Sequence, residues 1–180
     1  MVTPNQSLRR AARALLKLSK SRKLKLAAAE SCTGGLLLAA LTEIPGSSEV
    51  VDRGFVTYSN QAKHQMLGVP VGTLEKFGAV SRETALAMAK GALAHSSADV
   101  TAAITGIAGP GGGSKQKPVG LVHIAAATRS GARVHHECRF GAIGRAKVRE
   151  KSVLEALTML GEIIEFEMPQ KNRRTRNKKR

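Results

Sequence analysis

The stretch LKLAAAESCTGGLLLAALTEI, residues 24–44, combines three patterns that decide the fold. Residues 24–29 form a short, mostly apolar run of the length of a buried strand. Residues 30–35 are polar and contain two glycines, as in a turn, and residues 36–44 carry apolar side chains at helical spacing. A strand, a turn and a helix in this order are typical of an α/β layered fold.

The rest of the chain continues the alternation of strands and helices. Apolar spacing and capping residues predict helices over residues 7–19, 36–44, 60–67, 81–95 and 145–165, and strands over residues 24–29, 50–59, 100–105, 119–127 and 132–140. The last two strands are joined at Ser130 and Gly131, which suits a hairpin and therefore an antiparallel pair. We predict a single-domain α/β layered fold, with a mixed β-sheet flanked by helices.

The composition is that of one ordinary globular domain. With 180 residues, of which 42% are hydrophobic, the chain can bury a sizeable core. Its apolar runs are too short for a membrane span, and residues 1–21 lack the apolar block of a secretory signal, although their Arg-rich character also fits a transit peptide. Two cysteines provide neither a disulfide framework nor a zinc site. We therefore expect a cytoplasmic protein.

The net charge of +16 is concentrated at the two ends of the chain. Residues 9–25 hold eight Lys and Arg and residues 171–180 hold seven, and neither stretch contains an acidic residue. These ends favour weak, nonspecific nucleic-acid binding, although five aromatic residues are too few for a base-stacking platform. We predict a domain over residues 6–166 and a disordered basic tail over residues 167–180, which has almost no apolar side chain.

Polar residues follow the first predicted strand at the place where α/β sheets bind ligands. Ser31 lies just before Thr33, Gly34 and Gly35 at the start of a helix, where backbone N–H groups can hold an anion or a developing oxyanion. Ser31 is therefore a candidate nucleophile. The alternative interpretation is that Ser31 or Thr33 only caps the helix.

A serine nucleophile needs a base, and the five histidines match no triad signature. Lys63 follows Tyr58 after the second predicted strand, where burial would lower its pKa enough for it to accept a proton. The alternative interpretation of Lys63 is a solvated helix lysine. For Tyr58, the single tyrosine of the chain, the alternative to a role in the site is a packed core residue. Cys32 is a rival nucleophile, although a buried structural thiol is the commoner case.

The glycine-rich loop over residues 105–114 follows the third predicted strand. It matches neither a dinucleotide fingerprint nor a Walker loop, and we favour ligand contact over a flexible connector. Arg145, at the start of the last helix, is either a phosphate ligand or a surface arginine. His135 and His136 are adjacent in a strand and point to opposite faces, so we predict no metal site.

These residues belong to motifs that resemble the CinA C-terminal domain family, the nicotinamide mononucleotide deamidases. The resemblance covers residues 6–166 and rests on AESCTGG (29–35), PGSS (45–48), GFVTYSN (54–60) with Lys63, GAVS (78–81), and TGIAGP (105–110) followed by KPVG (117–120). It implies hydrolysis of the carboxamide of nicotinamide mononucleotide to nicotinic acid mononucleotide and ammonia, without a metal or another cofactor. The expected partners are this nucleotide and further copies of the chain in a homo-oligomer.

The resemblance also implies roles for individual residues. Ser31 corresponds to the family's nucleophile and Lys63 to its base, and Tyr58 corresponds to its tyrosine. Thr105 and Gly106 would lie near the reacting amide, and Arg145 would bind the substrate phosphate. Many relatives carry an acidic residue shortly before this arginine, whereas this chain has FGAIG at 140–144. The alternative function is nucleic-acid binding through the basic ends.

Overall fold

The computed structural model describes residues 6–167 and has three layers, with a five-stranded sheet between two layers of helices. The strands are β1 (Leu26–Glu30), β2 (Val51–Val56), β3 (Val100–Gly106), β4 (Leu121–Thr128) and β5 (Arg133–Arg139). The helices are α1 (Gln6–Ser21), α2 (Leu36–Thr42), α3 (Asn60–Leu67), α4 (Val71–Phe77), α5 (Arg82–Ala94) and α6 (Arg145–Glu167). None of these helices is long and apolar enough to cross a bilayer.

The sheet is mixed, as predicted. The strand order is β2-β1-β3-β4-β5; β1 runs parallel to both β2 and β3, whereas β4 and β5 are antiparallel to their neighbours. Three parallel strands therefore bring their carboxyl ends to one edge of the sheet. The candidate site residues lie at this edge.

Alternating side chains of the central strands supply two separate cores. On one face, Ala28, Ile104 and Ile124 pack in a cluster with α1, α2 and α6. On the other face, Ala103 and Ala125 pack in a cluster with the apolar side chains of α3, α4 and α5. Because both faces are covered, the central strands are buried along almost their whole length, and most of their side chains are apolar, as the sequence indicated.

The predicted elements are present; α3 has the predicted bounds, and the other elements differ by one to three residues at one or both ends. The prediction for β2 extends to residue 59, but the strand ends at Val56, and Ser59 caps α3 instead of continuing the strand. The seven-residue helix α4 was not predicted, since it follows Pro70 without a capping side chain. Of the predicted tail 167–180, only Glu167 lies within the described residues, at the end of α6.

Candidate active site

The carboxyl ends of the neighbouring strands β1 and β2 bring Ser31 and Lys63 together. Ser31 follows β1, and the segment after β2 carries Tyr58 and leads into α3. Ser59 begins α3 by accepting a hydrogen bond from the Ala62 N–H at 3.0 Å, which sets Lys63 on the first turn of the helix. The two candidate catalytic residues, 32 positions apart in the sequence, are thereby in direct contact.

The Lys63 amine lies inside the protein, so the solvated-lysine interpretation is wrong. The side chain is only 1% exposed, and Nζ donates to Ser31 Oγ at 2.9 Å and to the Thr57 carbonyl at 2.8 Å. Ser31 is 8% exposed and is therefore also buried. The amine is therefore held against the hydroxyl by a second, fixed hydrogen bond.

Burial also prepares Lys63 to act as a base. Desolvation disfavours the ammonium form and lowers the pKa of Lys63 to about 8. Within residues 6–167, no carboxylate forms an ion pair with this amine that would restore the charged form. A substantial fraction of Lys63 is consequently neutral near pH 8 and can accept a proton from Ser31.

Cys32 does not have the properties of a nucleophile. Its side chain is buried, and burial raises the pKa of the thiol to about 11. The thiolate, which is the reactive form, is therefore scarce at neutral pH. The structural interpretation of Cys32 accounts for these properties.

A carboxylate caps α2, and neither Ser31 nor Thr33 does. Glu30 is 1% exposed and accepts hydrogen bonds from the N–H groups of Gly35 (3.1 Å), Leu37 (3.1 Å) and Leu38 (2.9 Å). The chain reaches this geometry through Gly34 and Gly35, whose φ values of 55° and 91° suit glycine. The Ser31 hydroxyl is thus released from the capping role considered from sequence and is free to meet Lys63.

The same geometry gives acceptors to two of the predicted oxyanion donors. The Gly34 N–H donates to the Ser31 carbonyl at 3.0 Å, and the Gly35 N–H donates to Glu30. The N–H groups of Cys32 and Thr33 follow Ser31 directly and, among the described residues, donate to no other residue; the Cys32 N–H contacts its own thiol. The amides of Cys32 and Thr33 are therefore better placed to hold an oxyanion than those of Gly34 and Gly35.

Tyr58 and Arg145 meet at the open side of the site. Arg145 Nη2 donates to the Tyr58 hydroxyl at 2.9 Å, and Nη1 donates to the Gly109 carbonyl at 3.0 Å. Tyr58 is 62% exposed, so it is not the packed core residue considered as its alternative. This arrangement presents a phenol and a guanidinium to solvent beside the buried Ser31–Lys63 pair.

Thr105 and Gly106 lie at the carboxyl end of β3, the neighbour of the strand that Ser31 follows. The Thr105 hydroxyl is buried and donates to the Ala79 carbonyl at 2.7 Å, so its proton already has an acceptor in the loop before α5. A side chain at Gly106 would place its Cβ 2.7 Å from Val122 Cγ2 and 2.8 Å from the Leu121 carbonyl. Gly106 is thus required by the close approach of β4, whatever contact its backbone makes with a ligand.

Sequence reasoning did not assign roles to two further residues, Glu30 and Arg149. Arg149 lies on α6 four residues after Arg145, and its guanidinium donates to the Thr33 carbonyl from Nη2 at 2.7 Å and from Nε at 3.3 Å. The spacing of the two arginines places them on the same face of α6, which was the available signal. Arg149 anchors the turn that follows the candidate nucleophile.

Three of the histidines, His123, His135 and His136, lie on β4 and β5. His136 is hydrogen bonded to Glu155 of α6 (Nδ1 to Oε1, 2.7 Å), whereas His135 lies 3.0 Å from His123 (Nε2 to Nδ1). The two adjacent histidines therefore have partners on opposite sides of the sheet, as the strand periodicity predicted. Within the described part of the chain, no group of three His, Cys, Asp or Glu side chains is arranged to hold a metal ion.

Comparison with known proteins finds the same domain elsewhere. A putative competence-damage inducible protein of Caldicellulosiruptor bescii is 51% identical over 143 residues, which are 79% of this chain and 34% of the relative. A CinA-like protein of Syntrophobacter fumaroxidans is 49% identical over 145 residues, 81% of this chain and 34% of that protein. The chain thus spans about a third of the length of the curated relatives it matches.

Solved structures and a protein family agree with this match. The crystal structure of the competence/damage inducible protein CihA from Agrobacterium tumefaciens has a TM-score of 0.89 and 55% identity, and the match covers 91% of this chain and 99% of that one. A CinA superfamily protein from Klebsiella pneumoniae has a TM-score of 0.83 and 34% identity, over 88% and 98% of the two chains. The CinA C-terminal domain family matches residues 8–164. The chain therefore belongs to the CinA C-terminal domain family.

Proposed function

We propose that the protein is an amidohydrolase that converts nicotinamide mononucleotide to nicotinic acid mononucleotide and ammonia. The observation that carries this proposal is the buried Lys63 amine, 2.9 Å from the Ser31 hydroxyl, with a pKa lowered to about 8. A serine in contact with a partly neutral amine is an arrangement for acyl transfer. The resemblance of the motifs to the deamidase family supplies the substrate.

The reaction would begin at Ser31. The neutral Lys63 amine accepts the hydroxyl proton while Oγ attacks the carboxamide carbon, and the carbonyl oxygen becomes an oxyanion. Lys63, now an ammonium, then gives its proton to the departing nitrogen, so ammonia leaves and an acyl-enzyme remains. A water molecule attacks the acyl carbon with Lys63 again as the base, which releases the carboxylate product and restores the Ser31 hydroxyl.

The oxyanion would be held by the amides of Cys32 and Thr33. These donors belong to the turn whose position is set by Glu30 on one side and Arg149 on the other. Donors fixed before the reaction stabilise developing charge without a reorganisation cost. The Arg149 guanidinium, which bonds the Thr33 carbonyl, also adds positive charge near this turn.

The exposed side of the site would hold the nucleotide. Arg145 is positioned by Tyr58 and Gly109, and a guanidinium fixed by two hydrogen bonds retains further donors for a phosphate. The nicotinamide ring would extend from there towards Ser31, with the Tyr58 ring beside it. Substrate recognition would thus combine an ionic contact at the surface with chemistry at a buried pair.

The test is ammonia release from nicotinamide mononucleotide by the purified full chain, compared with a Ser31→Ala variant. We expect measurable turnover in the parent and none in the variant, with an unchanged circular dichroism spectrum. Ser130→Ala, in the exposed turn between β4 and β5, is the matched control and should retain full activity. Full activity of Ser31→Ala would refute the covalent mechanism, and no activity of the parent would refute the proposed substrate.

A further inference from the structure

Helix α1 carries a line of cations on its exposed face. Five basic residues in this helix are exposed, and at about 100° per residue they fall within an arc of about 100°. These residues, called here the α1 basic stripe, are Arg9, Arg10, Arg13, Lys17 and Lys20. At a rise of about 1.5 Å per residue, the stripe runs for about 16 Å along the helix axis.

The stripe is unfavourable for the stability of the helix that carries it. Arg9, Arg13 and Lys17 succeed one another at intervals of four residues, where like charges repel. The first turn of α1 contains no acidic residue, so its arginines also oppose the helix dipole. These charges are therefore poorly explained by local helix stability.

Most of the stripe is also without ionic partners inside the protein. Arg9 lies 3.7 Å from Glu43 and Lys20 lies 2.7 Å from Glu49. Within residues 6–166, Arg10, Arg13 and Lys17 form no ion pair with an acidic side chain. Three neighbouring cations thus remain available to an external anion.

The chemistry of the stripe favours a nucleic-acid backbone over a membrane. The apolar side of α1, including Leu8, Ala12 and Leu15, is buried in the core, so the helix has no apolar face to insert into lipid. The helix also contains no aromatic residue on which an unpaired base could stack. A row of exposed cations without stacking groups fits the regularly spaced phosphates of a duplex.

The carboxyl end of α1 and the candidate active site lie at opposite ends of β1. The Arg22 guanidinium, just after α1, donates to the Ile164 carbonyl near the end of α6 at 2.7 Å, and the chain then enters the amino end of β1. Ser31 lies at the opposite, carboxyl end of that strand. In the sequence, residues 171–180 follow α6 and add seven basic residues.

We propose that the α1 basic stripe binds the phosphate backbone of double-stranded nucleic acid without sequence preference. The binding is independent of the proposed amidohydrolase activity, because the stripe contains none of the residues assigned to that reaction. The duplex would lie along α1 and leave the site at the carboxyl ends of the parallel strands uncovered.

The experiment measures binding of the full chain to a labelled DNA duplex of about 20 base pairs over a range of salt concentrations. One variant carries Arg10→Gln, Arg13→Gln and Lys17→Gln. The control carries Lys76→Gln, Lys90→Gln and Arg133→Gln, which remove the same charge from exposed positions on α4, α5 and β5. The stripe variant should bind at least about tenfold more weakly at low salt and reduce the slope of log K against log salt by about 3.

Two further readouts separate the proposal from its alternatives. The stripe variant should melt at a higher temperature than the parent, since like-charge repulsion is removed, and this excludes unfolding as the cause of lost binding. Equal losses in both variants, or no loss in the stripe variant, would overturn the proposal. So would binding of the parent to phosphatidylcholine–phosphatidylserine vesicles without binding to the duplex.

Discussion

The Lys63 amine is 1% exposed, touches a serine hydroxyl and has a pKa lowered to about 8. A lysine in this state can serve as a base, whereas an arginine keeps its proton at any pH that the protein tolerates. Replacing Lys63 by arginine therefore keeps the positive charge but removes the proton acceptor. This substitution provides a direct test of the proposed mechanism.

Lys63→Arg should be nearly as damaging as Lys63→Ala, with kcat lowered by about 100- to 10,000-fold in both. The measurement is kcat and KM for nicotinamide mononucleotide. Lys90→Arg, on the exposed side of α5, is the control and should change neither constant. If Lys63 only attracted the phosphate, Lys63→Arg would keep a near-normal kcat, and the loss would be confined to KM.

The pH dependence of turnover follows from the same pKa. Below about pH 8 the Lys63 amine is protonated and cannot accept a proton, so kcat should fall about tenfold for each unit of pH below this value. Above about pH 8 kcat should reach a plateau. Cys32→Ala should leave the profile unchanged, because the pKa of that thiol is raised to about 11. A profile without an inflection between pH 7 and 9 would argue against Lys63 as the base.

At the scale of elements, α2 depends on a residue from the preceding strand. Gly35 at the helix start offers no side chain, and the Glu30 carboxylate accepts three N–H groups from residues of the first turn and the position before it. The same contacts fix the turn that contains Ser31. The Glu30 carboxylate therefore supports both the start of α2 and the turn of the candidate site.

Glu30→Gln should lower the free energy of unfolding by about 1–3 kcal/mol, because the amide has one oxygen and its NH₂ group faces an N–H donor. We also expect a lower kcat, since the turn holding the oxyanion donors loosens. Urea denaturation and ammonia release measure the two effects. Glu49→Gln, which alters an exposed ion pair with Lys20, should change stability by less than about 1 kcal/mol. Unaltered stability of Glu30→Gln would contradict the capping role.

At the scale of the whole molecule, α6 connects parts of the site that are distant in sequence. Arg145 reaches Tyr58 and Gly109, and Arg149 reaches Thr33, 116 positions earlier. Arg145 is exposed, whereas Arg149 bonds the Thr33 carbonyl, two residues after the candidate nucleophile Ser31. One face of α6 therefore contacts two separate parts of the candidate site.

Arg145→Gln should raise KM for nicotinamide mononucleotide by about tenfold or more, because it removes the proposed ionic contact with the phosphate. The same substitution should matter little for nicotinamide riboside, which has no phosphate. Arg149→Gln should lower kcat with both substrates, because it acts on the turn and not on the phosphate. Steady-state kinetics with the two substrates distinguish these outcomes. Equal losses with both substrates in Arg145→Gln would refute its phosphate role.

Deletion of residues 171–180 should leave kcat/KM within about twofold and weaken duplex binding. The deleted residues lie outside the described part of the chain and contain seven cations but none of the proposed catalytic groups. The end of α6, from which they continue, is joined to Arg22 near the amino end of β1, away from Ser31. The ammonia and duplex assays test both expectations, and a large loss of turnover would contradict this separation.

The sequence by itself determined most of the elements and the positions of the candidate catalytic residues. Helix α3 has the predicted bounds, and β1 with its glycine turn and α2 was recognised from one stretch of 21 residues, with small shifts at its ends. Apolar periodicity and turn residues are local signals, so they can be interpreted before the chain folds. They indicated which residues lie at strand ends, and therefore where a site would form.

Only the tertiary structure decided what those residues do to one another. The burial of Lys63 depends on how α3 packs beside β1 and β2, and its contact with Ser31 joins positions 32 residues apart. Likewise, Glu30 rather than Ser31 or Thr33 caps α2, and Arg149 bonds Thr33 across the layers. Periodicity specifies which face of an element is buried but not which polar group meets which. The pKa of a buried amine and the partner of a carboxylate follow from that packing.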